Sequence, residues 1–136
     1  KVPSVVRRRV LVVEDNLTNR VVAEAMLKRL KCADVEMATD GVEGVAAFRR
    51  TQAPIVFMDI QMPNMDGYEA IAHIRQMQGI RQPYIVALTA NAMDGDREKC
   101  LNAGADDYVS KPVTLEALKE ALKRARMSHQ DSLISI

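Results

Sequence analysis

The chain has no tryptophan, only two cysteines and only two histidines in 136 residues. Cys32 and Cys100 stand far apart and form no CxxC, so neither a zinc site nor a disulfide framework is indicated, and two reduced, packed thiols are expected. No apolar run approaches the length of a membrane span and no signal-peptide pattern opens the chain, so no membrane contact by this domain is expected. The charges nearly cancel, at +1, which leaves no electrostatic case for a nucleic-acid partner. No G-x-G-x-x-G follows the first apolar run and no Walker A lysine motif occurs, so dinucleotide and P-loop fingerprints are both missing. Internal repeats and low-complexity segments are absent as well.

What is present is an ordinary globular composition, 48% hydrophobic and 27% charged. The length suggests a single domain, large enough to bury a substantial core. Residues 1–8, with Pro3 and the start of the arginine run Arg7–Arg9, read as a linker remnant. Residues 9–126 read as the domain and 127–136 as a polar tail. The chain opens with Lys1 and reads as a piece of a longer protein.

Short unbroken apolar runs mark strands buried on both faces: Val10–Val13, Ile55–Met58 and Tyr84–Leu88. Val35–Ala38 and Asp107–Val109 are weaker strand candidates. Between them lie segments with helical spacing. Ala23, Met26, Leu27 and Leu30 follow caps at Asn16 or Thr18. Val45 and Phe48 follow Thr39 or Asp40, and Ile71, Ile74 and Met77 form a third apolar face. Asp94–Ala103 is a polar helix ending at Gly104. Leu115, Leu118 and Leu122 follow Thr114 in the last helix. About five strands alternating with five helices require βαβ crossovers, hence an α/β doubly wound parallel sheet with helices on both faces.

In a parallel sheet the residues just past the strand ends gather on one edge. Here those residues are Glu14 and Asp15, Asp59, Thr89 and Lys111. Three carboxylates packed together repel one another. A hard divalent cation removes that conflict, and Mg²⁺ suits three acids on short loops better than Ca²⁺. Zinc is disfavoured because no His or Cys joins the group, and His73 and His129 are expected to be solvated. Lys111 can then bind an anion, most simply a phosphoryl group, and Thr89 can donate to one of its oxygens. Asp59 is placed as a nucleophile that would form an aspartyl phosphate.

These motifs resemble the response-regulator receiver domain. The likeness rests on VLVVEDN (Val10–Asn16), FMDIQMPNMDG (Phe57–Gly67), ALTAN (Ala87–Asn91) and AGADDYVSKP (Ala103–Pro112), in order, and runs from about Arg9 to Arg126. DIQMPNMDG, LTANAM and GDREKC are most similar to the receivers of hybrid sensor histidine kinases. The resemblance implies a flavodoxin-like (βα)5 three-layer sandwich with strand order 2-1-3-4-5. Asp59 would accept phosphate from a phosphohistidine of a histidine kinase or histidine phosphotransfer domain. Glu14, Asp15, Asp59 and the backbone carbonyl of Gln61 would hold Mg²⁺, or Mn²⁺ in its place. Thr89 and Lys111 would bind the phosphoryl oxygens, and Tyr108 would turn inward as Thr89 is drawn to the phosphate. Gln61 and Asn91 would tune the lifetime of the phosphate. Lys111-Pro112 would be a cis peptide. The first helix near Arg20, with Leu17 and Val21 exposed, would dock a histidine-bearing domain, and the face from the fourth helix to the fifth would be read out. A cytoplasmic monomer is expected, either a stand-alone receiver or, more in keeping with the motifs, the cytoplasmic part of a hybrid kinase such as a membrane-bound sensor.

Two other functions fit parts of the pattern. A Mg²⁺-dependent aspartyl-phosphate phosphatase of the haloacid-dehalogenase kind needs a second Asp two residues past the nucleophile, where this chain has Gln61. A pseudo-receiver that serves only as an interaction module usually loses an acid or the Lys, and this chain keeps them all.

Overall fold

A computed structural model of the chain describes residues 9–32, 34–90 and 95–134. The described elements are β1 (Arg9–Val13), α1 (Leu17–Arg29), β2 (Asp34–Ala38), α2 (Gly41–Thr51), β3 (Ile55–Asp59), α3 (Gly67–Arg75), β4 (Tyr84–Thr89), α4 (Asp96–Ala103), β5 (Asp107–Ser110) and α5 (Leu115–Ile134). The strands form one parallel sheet in the order β2-β1-β3-β4-β5. This is the flavodoxin-like (βα)5 sandwich with the expected strand order.

The period-2 alternation of strand side chains sorts the core into two layers. Leu11, Val13, Val56, Met58, Ile85 and Ala87 face one way, packed with Phe48, Ile71, Ile74 and Cys100 of α2, α3 and α4. Val10, Val12, Ile55, Phe57, Val86 and Leu88 face the other way, against Leu27 of α1 and Leu118, Ala121 and Leu122 of α5. Three helices therefore cover one face and two the other. The central strands are buried on both faces, which is why β1, β3 and β4 read as unbroken apolar runs.

Local chemistry sets the helix ends. Asn16 caps α1 by accepting from the Asn19 N–H at 3.0 Å. Asp40, the second of the two expected candidates, caps α2 through the Glu43 N–H at 2.8 Å, and Glu43 reaches back to the Thr39 N–H at 3.0 Å. Asp66 caps α3 and Thr114 caps α5. Gly104, at φ +116°, closes α4 with bonds from its own N–H to the Leu101 carbonyl and from Ala105 N–H to the Cys100 carbonyl, a Schellman pattern that requires a left-handed residue.

Two boundaries differ from the sequence reading. Met77 lies beyond α3, whose last residue is Arg75, and packs against the core from the following loop. Helix α5 does not stop where a tail was expected, but continues to Ile134. Among the residues whose side chains are described, Ala125 is the last of α5 to pack in the core. No Gly or Pro interrupts 115–134, so nothing in the chain breaks the helix there. The lead 1–8 lies outside the described residues, and so do Asn91, Asp94 and the side chain of His129.

Candidate functional site

The strand ends meet at the C-terminal edge of the sheet, as parallel topology requires. Pairing in register places Val13 beside Met58 and Asp59 beside Leu88, so the residues that follow β1 and β3 share one rim. Glu14 and Asp59 are each only 2% exposed, Thr89 is 3% exposed, and Asp15 projects into solvent. Carboxylate oxygens of Glu14, Asp15 and Asp59 lie within 4.8 Å of one another. Lys111, delivered by the end of β5 and a cis Lys111-Pro112 bond, bridges two of these acids. Its Nζ is 3.1 Å from Glu14 Oε1 and 3.0 Å from Asp59 Oδ1. All five residues expected on the rim are thus together.

Three acids against one ammonium leave the buried rim short of positive charge. Asp59 responds most. Burial, then the adjoining Glu14 carboxylate, push its carboxyl up to about 7, against the opposing pull of Lys111. For Glu14, burial also disfavours the charge. The adjoining Asp59 carboxyl, the Asn16 N–H and Lys111 outweigh it and hold the carboxyl below its usual range. Lys111 is raised: burial alone would lower it, but the bonds to Asp59 and Glu14 win. Asp59 Oδ1 also accepts the Gln61 N–H at 3.2 Å, while Asp59 Oδ2 is buried without any hydrogen-bond partner. A buried polar atom left unpaired is rare and calls for a ligand. Together with an all-oxygen donor set, this makes the rim fit a hard divalent cation and does not suit zinc.

An open cleft of about 600 Å³ leads to the rim, lined among others by Asp15, Gln61, Met62, Pro63, Tyr68, Thr89 and Asp96. The β3–α3 loop forms one wall. Gly67 lets it pass, since a Cβ there would meet the Asp59 carbonyl oxygen and lie 2.7 Å from Ile60 Cα. The Gly67 N–H also bonds the Ile60 carbonyl at 2.9 Å.

Several residues act here that sequence reasoning did not single out, or placed differently. Arg20, near which the docking face was expected, is half-buried, and its Nη1 donates to the carbonyls of Glu14 at 2.9 Å and Asp15 at 3.0 Å, clamping the acidic loop. Leu17, Val21 and Val22 do stand exposed on the same helix. The Thr89 hydroxyl donates to Asp96 Oδ2 at 3.2 Å. Tyr108 is half-buried against the core, with the Arg97 guanidinium 5.6 Å from its ring centroid. Neither Asp96 nor Arg97 carries a local signal beyond lying at the start of a polar helix. His73 is exposed and away from the rim, as expected.

Comparison with known proteins agrees with this geometry. The family model of the response regulator receiver domain matches residues 10–123. The two-component response regulator ORR41 of Oryza sativa subsp. japonica is 44% identical over 88% of this chain and 95% of its own length. Hybrid signal transduction histidine kinase G of Dictyostelium discoideum is 39% identical over 91% of this chain but only 4% of its own length. The chain spans only 4% to 16% of the length of histidine kinases that it matches in Dictyostelium discoideum and Oryza sativa subsp. indica. Among solved structures, the receiver domain of sensor histidine kinase PA1611 from Pseudomonas aeruginosa PAO1 superposes with a TM-score of 0.78 at 42% identity, over 85% of this chain and 94% of that one. That structure holds a magnesium ion coordinated in its active-site cleft. The receiver domain of Ssk1 from Saccharomyces cerevisiae, crystallised with the histidine phosphotransfer protein Ypd1, gives 0.77 at 33% identity, over 85% and 86% of the two chains. With its strand order, its acidic rim and a family match across most of its length, the chain belongs to the response regulator receiver domains of two-component phosphorelay signalling.

Proposed function

We propose that Asp59 is the phosphoacceptor of this receiver domain, taking a phosphoryl group from the phosphohistidine of a histidine kinase or a histidine phosphotransfer domain. A carboxylate oxygen of Asp59 attacks phosphorus. The P–N bond to the imidazole breaks as the P–O bond forms, and the leaving nitrogen takes up a proton from solvent. The observation that carries this reading is the asymmetry at Asp59, whose carboxylate lies within 4.8 Å of those of Glu14 and Asp15: Oδ1 is held by Lys111 and the Gln61 N–H, while Oδ2 is buried and unpaired.

Glu14, Asp15, Asp59 and the Gln61 carbonyl would hold Mg²⁺, which supplies positive charge to offset the phosphoryl oxygens when bound. The magnesium of the PA1611 receiver supports that choice of ion. Lys111 orients Asp59 before transfer and pairs with the phosphoryl oxygens after it. Thr89 supplies a hydroxyl donor, Tyr108 moves with it, and Gln61 and Asn91 set how long the phosphate survives. The exposed Leu17, Val21 and Val22 on α1 form the docking face for the histidine-bearing partner, a reading supported by the Ypd1–Ssk1 complex. The face from α4 to α5 carries the readout. The domain acts as a cytoplasmic monomer within a hybrid sensor histidine kinase, and it catalyses its own phosphorylation but no turnover of other substrates. Among the described residues no helix is long and apolar enough to cross a membrane.

Intact-mass measurement with acetyl phosphate and Mg²⁺ tests the assignment. The wild-type chain should gain one phosphoryl group and Asp59→Asn none; uptake by Asp59→Asn would sink it.

A further inference from the structure

Thr89 donates its hydroxyl proton to Asp96 Oδ2, 3.2 Å away at the first turn of α4. A hydroxyl carries one proton and can give it to one acceptor at a time. If Thr89 is to donate to a phosphoryl oxygen on Asp59, it must first leave Asp96. Asp96 is ill placed to be a mere helix cap. Gly95, without a side chain, occupies the cap position of α4, and the carboxylate of Asp96 after it accepts from the end of β4. It lines the cleft alongside Thr89. The neighbouring Arg97 lies over Tyr108, so one helical turn touches both Thr89 and Tyr108.

We propose that Asp96 is a positioning residue that competes with the phosphoryl group for the Thr89 hydroxyl and thereby sets the balance between resting and phosphorylated conformations. This deepens the Asp59 reading and rests on it. In the resting protein the Thr89–Asp96 bond ties the end of β4 to the start of α4. Phosphorylation exchanges one charged acceptor for another, and the first turn of α4 loses its tether to the site. The resting state is favoured by the strength of a hydrogen bond to a charged group, partly offset by the equivalent bond gained.

The test uses beryllofluoride with Mg²⁺ as a phosphoryl mimic, titrated into the chain. Asp96→Ala should tighten apparent affinity about tenfold, since one competing bond of ~1.4 kcal/mol is removed. Removing a negative charge beside an anion site would also tighten binding, so Thr89 is varied in parallel. In a Thr89→Val background Asp96→Ala should change affinity less than twofold, while a Thr89→Ser background should restore the full effect. Asp96→Asn, which keeps an acceptor but loses the charge, should fall between wild type and Asp96→Ala. An equal gain in the Thr89→Val background, or no gain in any, overturns the proposal. A metal-free readout separates this from the Asp59 reading. The ¹³C methyl shift of Thr89, which reports its χ1 rotamer, should move in Asp96→Ala without any ligand, and an unchanged shift overturns the competition. If wild type fails to bind beryllofluoride, the Asp59 reading is lost and the methyl shift alone decides on Asp96.

Discussion

At Asp59, the surroundings of one carboxyl work against the charged form that a nucleophile needs. Burial and the Glu14 carboxylate raise it to about 7, and the same surroundings hold Glu14 low. The native state therefore keeps a proton at Asp59 that the unfolded chain releases near 3.8. Where the native state binds more protons, stability falls as pH rises. In EDTA-treated protein, unfolding free energy should thus decline from about pH 5 to about pH 7.5, a window in which Glu14 is ionised in both states and adds no slope. Asp59→Asn should remove the decline and gain stability at pH 8, by no more than about 4 kcal/mol on the scale of 1.36 kcal/mol per pKa unit. Urea unfolding across that range checks it, and a slope of the same size in Asp59→Asn would place the titration elsewhere.

Among the elements, α1 does more than cover the sheet. Its Arg20 donates to the carbonyls of Glu14 and Asp15, so the helix holds the turn that carries two of the three acids. Groups that orient metal ligands without touching the ion typically account for about 10- to 100-fold in affinity. Arg20→Ala should accordingly weaken Mg²⁺ binding by about tenfold while leaving the fold intact, as calorimetric titration and circular dichroism would show together. Arg20→Lys should recover little of the loss, because an ammonium cannot reproduce the fork of the guanidinium. Unaltered Mg²⁺ affinity in Arg20→Ala would mean that the loop is held by its own backbone.

On the scale of the whole molecule, the two edges of the sheet have separate tasks. The C-terminal edge carries the acids. The N-terminal edge carries a clasp centred on Arg75, which donates to the Gly104 carbonyl at 2.8 Å, the Pro83 carbonyl at 3.0 Å, Gln82 Oε1 at 2.9 Å and Asp106 Oδ2 at 2.7 Å. Asp106 in turn accepts the Ile85 N–H at 2.8 Å, so the clasp joins α3, β4 and the α4–β5 turn. Losing it leaves several partners unsatisfied, and Arg75→Ala should cost about 2–3 kcal/mol in urea unfolding. Phosphate uptake by the folded fraction should stay at the wild-type rate, because the clasp lies across the sheet from Asp59. A matching loss of uptake would show that the two edges are coupled.

The architecture was legible in the chain for a simple reason. Unbroken runs such as Val10–Val13 and Ile55–Met58 can be buried on both faces only within a parallel sheet covered by helices, and such a sheet collects its strand ends on one edge. That sufficed to bring Glu14, Asp15, Asp59, Thr89 and Lys111 together. The chain could not say how far α5 runs beyond its apolar stripe, since nothing breaks a helix there and nothing in the pattern demands one. Nor could it rank the acids: Glu14 and Asp59 look alike in sequence, and only their buried surroundings, which raise one carboxyl and lower the other, set them apart. The choice of Asp96 by Thr89, and of the Glu14 and Asp15 carbonyls by Arg20, belonged to the tertiary structure alone. Periodicity encodes which side chains are buried, but the acceptor a hydroxyl or guanidinium selects is a matter of a few tenths of an ångström between elements distant in sequence.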